Sequence, residues 1–271
     1  MRELGGRRAL ITGATGGIGR AIARAFAQEQ MELVLSGRRP DVLAALEREL
    51  GAETVQADLA DPAEVDRLAE EAGAIDVLVN NAGVEQYAWY TDVPREELER
   101  IVALNIRAPM LLIHRLLPGM LQRGQGHVVN VSSLAGHASP AHQAAYATTK
   151  AALIALARSL RAEYRHTPVG FSVVSPSFVT GEGMHADSLE RYGLRAPFPP
   201  GAVSVDRCAR AVVRAIRRDV PEVLVAPMPI RPLIALDGLS PRLGAAIVRI
   251  VGVNELFRRA ADRRREEQNE R

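Results

Sequence analysis

The sequence predicts an α/β protein: a doubly wound, seven-stranded parallel sheet with helices on both faces. Three observations carry the prediction. Short apolar runs alternate along the chain with longer segments of helical period. Those runs are continuous rather than alternately polar, as in strands covered on both faces. A glycine-rich turn stands directly between the first run and the first helical segment.

Strands are predicted at RALIT (8–12), ELVLS (32–36), ETVQA (53–57, the weakest), AIDVLVN (74–80), HVVNVS (127–132), GFSVVS (170–175) and EVLVA (222–226). Helices are predicted near 18–30, 41–50, 62–72, 95–121, 146–166 and 204–218. Strand–helix–strand crossovers are right-handed, so this alternation favours one parallel sheet over hairpins. The pattern stops near residue 226. Then come the Pro-punctuated PMPIRP, an apolar segment to about 257 and the mixed-charge end RRAADRRREEQNER. The expected division is a dinucleotide-binding and catalytic unit at 1–227, with a substrate loop at about 180–202, and a C-terminal helical extension at 228–271.

Bulk properties narrow the function. A chain of 271 residues, 47% hydrophobic and 24% charged, suits one globular domain, with or without an appendage, and a large core. Its one cysteine, Cys208, excludes an internal disulfide and fits a reducing compartment. The formal net charge is only +2, and no basic block is interleaved with aromatics, so nucleic acid is not an expected partner. The start has charges but no apolar h-region, so a signal peptide is not expected. No run of 18 apolar residues occurs, so a spanning helix is not expected. A soluble cytoplasmic protein is the default expectation, with no metal site.

The stretch ALITGATGGIGRAIARAF reads strand, turn, helix. Gly13, Gly16, Gly17 and Gly19 let the backbone turn sharply and approach a pyrophosphate, which the free N–H groups of the next helix would receive. Glycine also marks ordinary turns, but its place directly after the first strand favours dinucleotide binding, although the spacing is not G-x-G-x-x-G. It fits T-G-x-x-x-G-x-G and T-G-x-x-G-x-x-G equally, so the turn alone leaves two subfamilies open. The second strand ends VLSGRRPD. An NAD site wants a carboxylate there for the ribose 2′-hydroxyl. Ser36, Gly37, Arg38 and Arg39 stand there instead, and a guanidinium suits a 2′-phosphate. NADP(H) is therefore favoured, with NAD(H) kept open. The alternative is a solvated arginine at a helix start, with Asp41 as a simple cap.

Lys150 is the only lysine among 34 basic residues, and it follows Tyr146 by four. In a helix the two share a face, one turn apart. A phenol ordinarily titrates near 10, and a fixed ammonium is expected to lower that by ~2–3 units. The phenol then works as a general acid or base near neutral pH. An ammonium is a compact charge with three rotatable donors, whereas a guanidinium is a rigid fork, so arginine is a poor substitute at this position.

TGATGGIG, NNAG at 80–83, NVSS at 130–133 and YATTK at 146–150 together resemble the short-chain dehydrogenases/reductases, in their compact branch. The resemblance spans about 5–226, includes the spacing of Ser133 before Tyr146, and selects the first glycine pattern. It implies an NAD(P)-dependent oxidoreductase that moves a hydride between the cofactor and a carbonyl or secondary alcohol. Tyr146 would exchange a proton with the substrate oxygen, and Ser133 would orient that oxygen. Lys150 would hold the nicotinamide ribose and lower the tyrosine pKa. Asn105 would offer its main-chain carbonyl to a proton-relay water. The residues support the last point separately: Pro109 has no N–H to give that carbonyl, so the helix is expected to kink there and free it. Further implied cofactor contacts are Thr15, Ile18, Asp58, Leu59, Asn81, Ala82, Gly83, Pro176 and Val179. The chain departs from the family after the sixth strand, where Pro-Gly reads Pro176-Ser177 and the threonine, Thr180, comes one position early with Gly181 in its place.

The substrate side is less legible. Met184, Leu189, Tyr192, Leu194 and Phe198 could line an apolar pocket or pack the loop down. Trp89 could bound that pocket or staple a surface loop, and His142 could reach a substrate or sit at the surface. Leu243, Ile247, Ile250 and Val251 form an apolar stripe, and from Met228 to Arg265 eight arginines face three acids. Such a stripe can lie on a membrane surface, though it more commonly packs on the core, covers the substrate mouth or joins a subunit. The charged end is expected to be a solvated helix end or frayed tail. A small, partly apolar carbonyl or alcohol is the expected substrate, and the resemblance implies a homodimer or homotetramer. Rival readings are a non-catalytic dinucleotide-binding regulator, which would usually lose Tyr146 or Lys150, and a sugar-nucleotide epimerase or dehydratase, which would carry a larger C-terminal part.

Overall fold

The computed structural model describes residues 1, 3–181 and 201–270. The strands are β1 (Arg8–Thr12), β2 (Glu32–Gly37), β3 (Glu53–Gln56), β4 (Val77–Asn80), β5 (Gly126–Val131), β6 (Val169–Pro176), β7 (Phe178–Thr180), β8 (Ala202–Ser204) and β9 (Glu222–Val225). Seven form one parallel sheet in the order β3-β2-β1-β4-β5-β6-β9. The order reverses between β1 and β4, and the crevice beyond the carboxyl ends of those strands is where such sheets bind ligands. The apolar runs are continuous because both faces are buried: Ile11, Leu35 and Val79 serve one core, and Leu10, Val34 and Leu78 the other.

Helices α1 (Gly17–Gln28) and α2 (Pro40–Leu50) cover the first face through Ile22, Phe26, Leu43 and Leu46. Helix α3 (Pro62–Ala72) covers the second through Val65 and Leu68. Its start is fixed by Asp61, whose carboxylate accepts from the Ala63 N–H at 2.9 Å, with Pro62 in the first turn. The segment expected as one helix over 95–121 is three pieces: α4 (Arg95–Val102), a π turn (Ala103–Arg107) and α5 (Ala108–Arg123). The Ala108 N–H reaches the Ala103 carbonyl, five residues back. The chain thus accommodates Pro109 by widening a turn, a response that π bulges commonly provide near functional sites. By length and composition alone, Arg95–Arg123 could cross a membrane, although it holds no unbroken run of 18 apolar residues. Its apolar side, with Leu104, Leu112, Leu116 and Met120, is buried against the second face of the sheet.

Helices α6 (Ala135–Ala138), α7 (Ala144–Glu163) and α8 (Val205–Arg218) complete the layers. α8 is capped by Ser204, whose hydroxyl accepts from the Arg207 N–H at 3.3 Å, and it buries Cys208 and Val212. One feature was not anticipated, and the expected helical extension is divided into three. β7 and β8 form a small parallel ladder that joins the two ends of the expected substrate loop. The C-terminal extension is three helices, α9 (Arg231–Leu239), α10 (Pro241–Ile250) and α11 (Val253–Asn269). Of the two expectations for the charged end, the helix holds: it belongs to α11, with Arg263, Arg265, Glu266 and Gln268 exposed, Ala260 and Ala261 buried, and Arg264 paired with Glu97. The first helix of the extension ends where Pro241 follows Ser240, since proline restricts the residue before it. Met184, Leu189, Tyr192, Leu194 and Phe198 lie outside the described residues.

Candidate active site

One cavity of about 920 Å³ opens at the carboxyl ends of the central strands. The turn between β1 and α1 forms its floor. Gly13 has φ +64°, and a Cβ there would come within 2.8 Å of Ala82 Cα. A Cβ on Gly19 would sit 2.2 Å from the Gly13 carbonyl oxygen. Only glycine fits either place. Asn81 fixes the turn from the end of β4: its side-chain amide donates to the Thr12 and Gly13 carbonyls at 3.0 and 3.2 Å. The Thr12 hydroxyl in turn accepts from the Asn81 and Ala82 N–H groups at 3.0 and 3.1 Å. NNAG is thus a brace for the glycine turn as well as a cavity wall.

The end of β2 borders the same cavity. Ser36 is buried there, and its hydroxyl has no hydrogen-bond partner among the described residues. Arg38 and Arg39 line the rim. They differ in what they do: Arg39 donates to the Thr15 carbonyl, while no described side chain or carbonyl takes a hydrogen bond from Arg38. Arg38, whose charge also acts on Asp58, borders the cavity with the orphaned Ser36 hydroxyl and no carboxylate at the strand end, and this set fits a ribose carrying a 2′-phosphate. The glycine turn and the α1 N-terminus fit the pyrophosphate.

Tyr146 and Lys150 project from the first two turns of α7, where the Thr149 hydroxyl donates to the Tyr146 carbonyl at 2.8 Å. Asn105 donates to that same hydroxyl at 3.1 Å and brackets Val84, accepting from its N–H at 2.8 Å and donating to its carbonyl at 2.9 Å. The Asn105 side chain therefore ties the π turn, the NNAG loop and α7 together. Lys150 is buried and donates to the Val131 carbonyl at 3.0 Å, with its Nζ 5.6 Å from the Tyr146 ring centre. Ser133, two residues past the end of β5, accepts from the Ala135 N–H at 3.1 Å and interacts with the Tyr146 hydroxyl.

The expected lowering of the tyrosine pKa is not found in this site. Tyr146 keeps part of its surface exposed, yet protein packs densely around its hydroxyl. Burial pushes the phenol well above its ordinary value and the Glu85 charge adds to this, while the Ser133 hydrogen bond pulls the other way. Lys150 is pushed down to about 8 by the same burial, with Glu85 opposing. Desolvation is the dominant influence on both groups. Glu85, whose carboxylate accepts from the Tyr87 hydroxyl at 2.9 Å, is a site residue that the motifs did not signal.

Of the expected contacts, Gly13, Thr15, Gly16, Gly17, Ile18, Gly19, Arg38, Arg39, Leu59, Asn81, Ala82, Gly83, Ser133, Tyr146, Lys150, Pro176 and Val179 all line the cavity. Asn105 and Asp58 are not among the lining residues. Asp58 pairs with Arg100 at 3.1 Å. Burial would raise its carboxyl, but the Ala60 N–H and the Arg100 guanidinium hold it below the ordinary range. His142 and Trp89 are not lining residues either. Trp89 stacks edge-on with His142 at 4.5 Å and donates to Asp262 at 2.8 Å, stapling its loop to α11. The far wall is apolar and comes largely from the extension: Ile230, Leu233, Ile234, Val248, Val251 and Phe257 line it. Phe257 packs on Tyr87 and Phe178 with ring centres 5.1 and 5.9 Å apart. These contacts join residues far apart in sequence, so no local motif reveals them.

The family profile "short chain dehydrogenase" matches residues 7–192. The chain belongs to the short-chain dehydrogenases/reductases. Ketoacyl reductase HetN of Nostoc sp. is 34% identical to it, over 97% of this chain and 96% of that protein. Among solved structures, a short-chain dehydrogenase/reductase from Burkholderia phymatum in complex with NAD has TM-score 0.78 and 27% identity, covering 90% of this chain and 96% of its own. A short-chain dehydrogenase from Sphingobium yanoikuyae in complex with NADPH has TM-score 0.74 and 29% identity, covering 88% and 95%. Membership makes the chain an oxidoreductase of this family on a Rossmann-type sheet.

Proposed function

We propose that this short-chain dehydrogenase/reductase uses NADP(H) to reduce a carbonyl on an apolar, acyl-type substrate. One observation carries the reading: Tyr146, Ser133 and Lys150 share a cavity with the glycine turn at one end and the apolar wall of the extension at the other. NADP(H), when bound, supplies or accepts a hydride at the nicotinamide ring.

The chain's own residues handle everything else. Tyr146 gives a proton to the substrate oxygen as the carbonyl is reduced and takes one back in the reverse direction. Its raised pKa keeps the phenol protonated in the resting enzyme, the form that reduction needs. Ser133 holds the substrate oxygen beside that hydroxyl. Lys150 places a positive charge under the site, and Asn105 and Thr149 lock the helix turn that presents Tyr146. Arg38 favours the phosphorylated cofactor. The ketoacyl name of the Nostoc relative and the apolar wall together support an acyl-type substrate.

The test is NADPH oxidation by the full chain with ketones of increasing apolar chain length, including β-ketoacyl thioesters. The proposal expects turnover that improves with chain length. Tight NADPH binding without turnover across the panel would favour a regulator instead.

A further inference from the structure

Among the described residues, nothing covers the outer face of α9 and α10. Four of the eight exposed large hydrophobic residues in the described structure lie there, within 231–250: Leu236, Leu239, Leu243 and Ile250. Leu239 and Ile250 are 81% and 82% exposed. The opposite face of the same helices is also apolar, since Leu233, Ile234 and Val248 line the cavity. A helix apolar on both sides is ordinarily buried on both sides.

Charge identifies what would cover it. Arg242 and Arg249 are exposed and, like Leu243 and Ile250, are seven residues apart, so the two pairs run side by side along α10. Arg231 is exposed at the start of α9, where it also donates to the Glu222 carbonyl at 3.1 Å. Nearby, the Glu222 carboxylate is engaged by Arg158 at 3.1 Å. The sole acid between 228 and 252, Asp237, lines the cavity. A second copy docking through this face would set arginine against arginine about a two-fold axis. An anionic surface with an apolar interior matches both the leucines and the arginines.

We infer that α9 and α10 dock the protein on an anionic lipid bilayer, leucines at the acyl boundary and arginines at the headgroups. The inference stands on this face alone and does not depend on the catalytic reading. The test is co-sedimentation of the full chain with phosphatidylcholine vesicles and with equimolar phosphatidylcholine–phosphatidylglycerol vesicles. Binding is expected only to the anionic vesicles and is expected to weaken with salt. Leu239→Ser with Ile250→Ser, and separately Arg242→Gln with Arg249→Gln, should each lower binding about tenfold or more. Helix content and NADPH affinity should stay unchanged, which shows that the variants remain folded. Failure of the native chain to pellet, or equal pelleting by both variants, would overturn the inference. So would a dimer that the leucine variant converts to monomer while no vesicle binding occurs, because a second copy would then cover the face.

Discussion

Lys150 sits in a contest between solvent and neighbour. Burial strips water from both the ammonium and the Tyr146 phenol and moves each toward its neutral form; the Glu85 charge opposes this at Lys150, and the Ser133 hydrogen bond opposes it at Tyr146. The lysine therefore holds its charge below about pH 8 and gives it up above. If the positive charge supports catalysis, kcat/KM for ketone reduction should be level up to that pH and fall beyond it. Lys150→Arg should remove the alkaline limb, because a guanidinium does not titrate there, and should lower kcat by about 10²-fold because the fork misplaces its donors. A pH–rate profile of both proteins checks this. The tyrosine–lysine pair and the serine were legible as a motif. Glu85 and Thr149 were not. Glu85 acts through space on groups sixty residues away, and Thr149 acts through a hydroxyl bond to Asn105 across the fold.

At the scale of elements, the strands and most helices were readable because both faces of the sheet are buried, which writes them as apolar runs. The π turn was legible only as a problem posed by Pro109. Propensity gives no sign of whether a chain answers a missing N–H with a bend or a wider turn. Its role is now concrete. Asn105→Ala should leave the Val84 amide groups without partners and destabilise the protein by about 2 kcal/mol or more, read by urea unfolding. The β2 end shows a division of labour that composition concealed. Arg39 braces the glycine turn, while Arg38 remains available. Arg38→Ala should weaken NADPH about tenfold or more and leave NADH nearly unchanged, whereas Arg39→Ala should weaken both. Isothermal titration with each cofactor separates the two outcomes.

Across the whole molecule, the extension was the least legible part, because its function lies in long-range packing. Its apolar residues were seen as one stripe, yet they divide between a cavity wall and an outer face. Stability has its own determinant in His127, buried beside Ser172 at 2.8 Å and not among the cavity-lining residues. Burial pushes its pKa down to about 4 despite the Asp219 charge, while an unfolded histidine titrates near 6.5. The unfolded chain then binds the extra proton first. The contribution is intact above pH 6.5 and is lost as pH falls toward 4, by up to about 3 kcal/mol. His127→Asn should flatten the fall between pH 7 and 4 in unfolding experiments, even if the variant starts less stable. The assembled site depends on one claim, that a tyrosine held over a bound dinucleotide delivers the proton. Single-turnover oxidation of prebound NADPH, compared between the native chain and Tyr146→Phe, tests it most directly. The account predicts unchanged NADPH affinity with a rate lowered by about 10²–10⁴-fold. A variant that binds NADPH and oxidises it at the native rate would contradict the account.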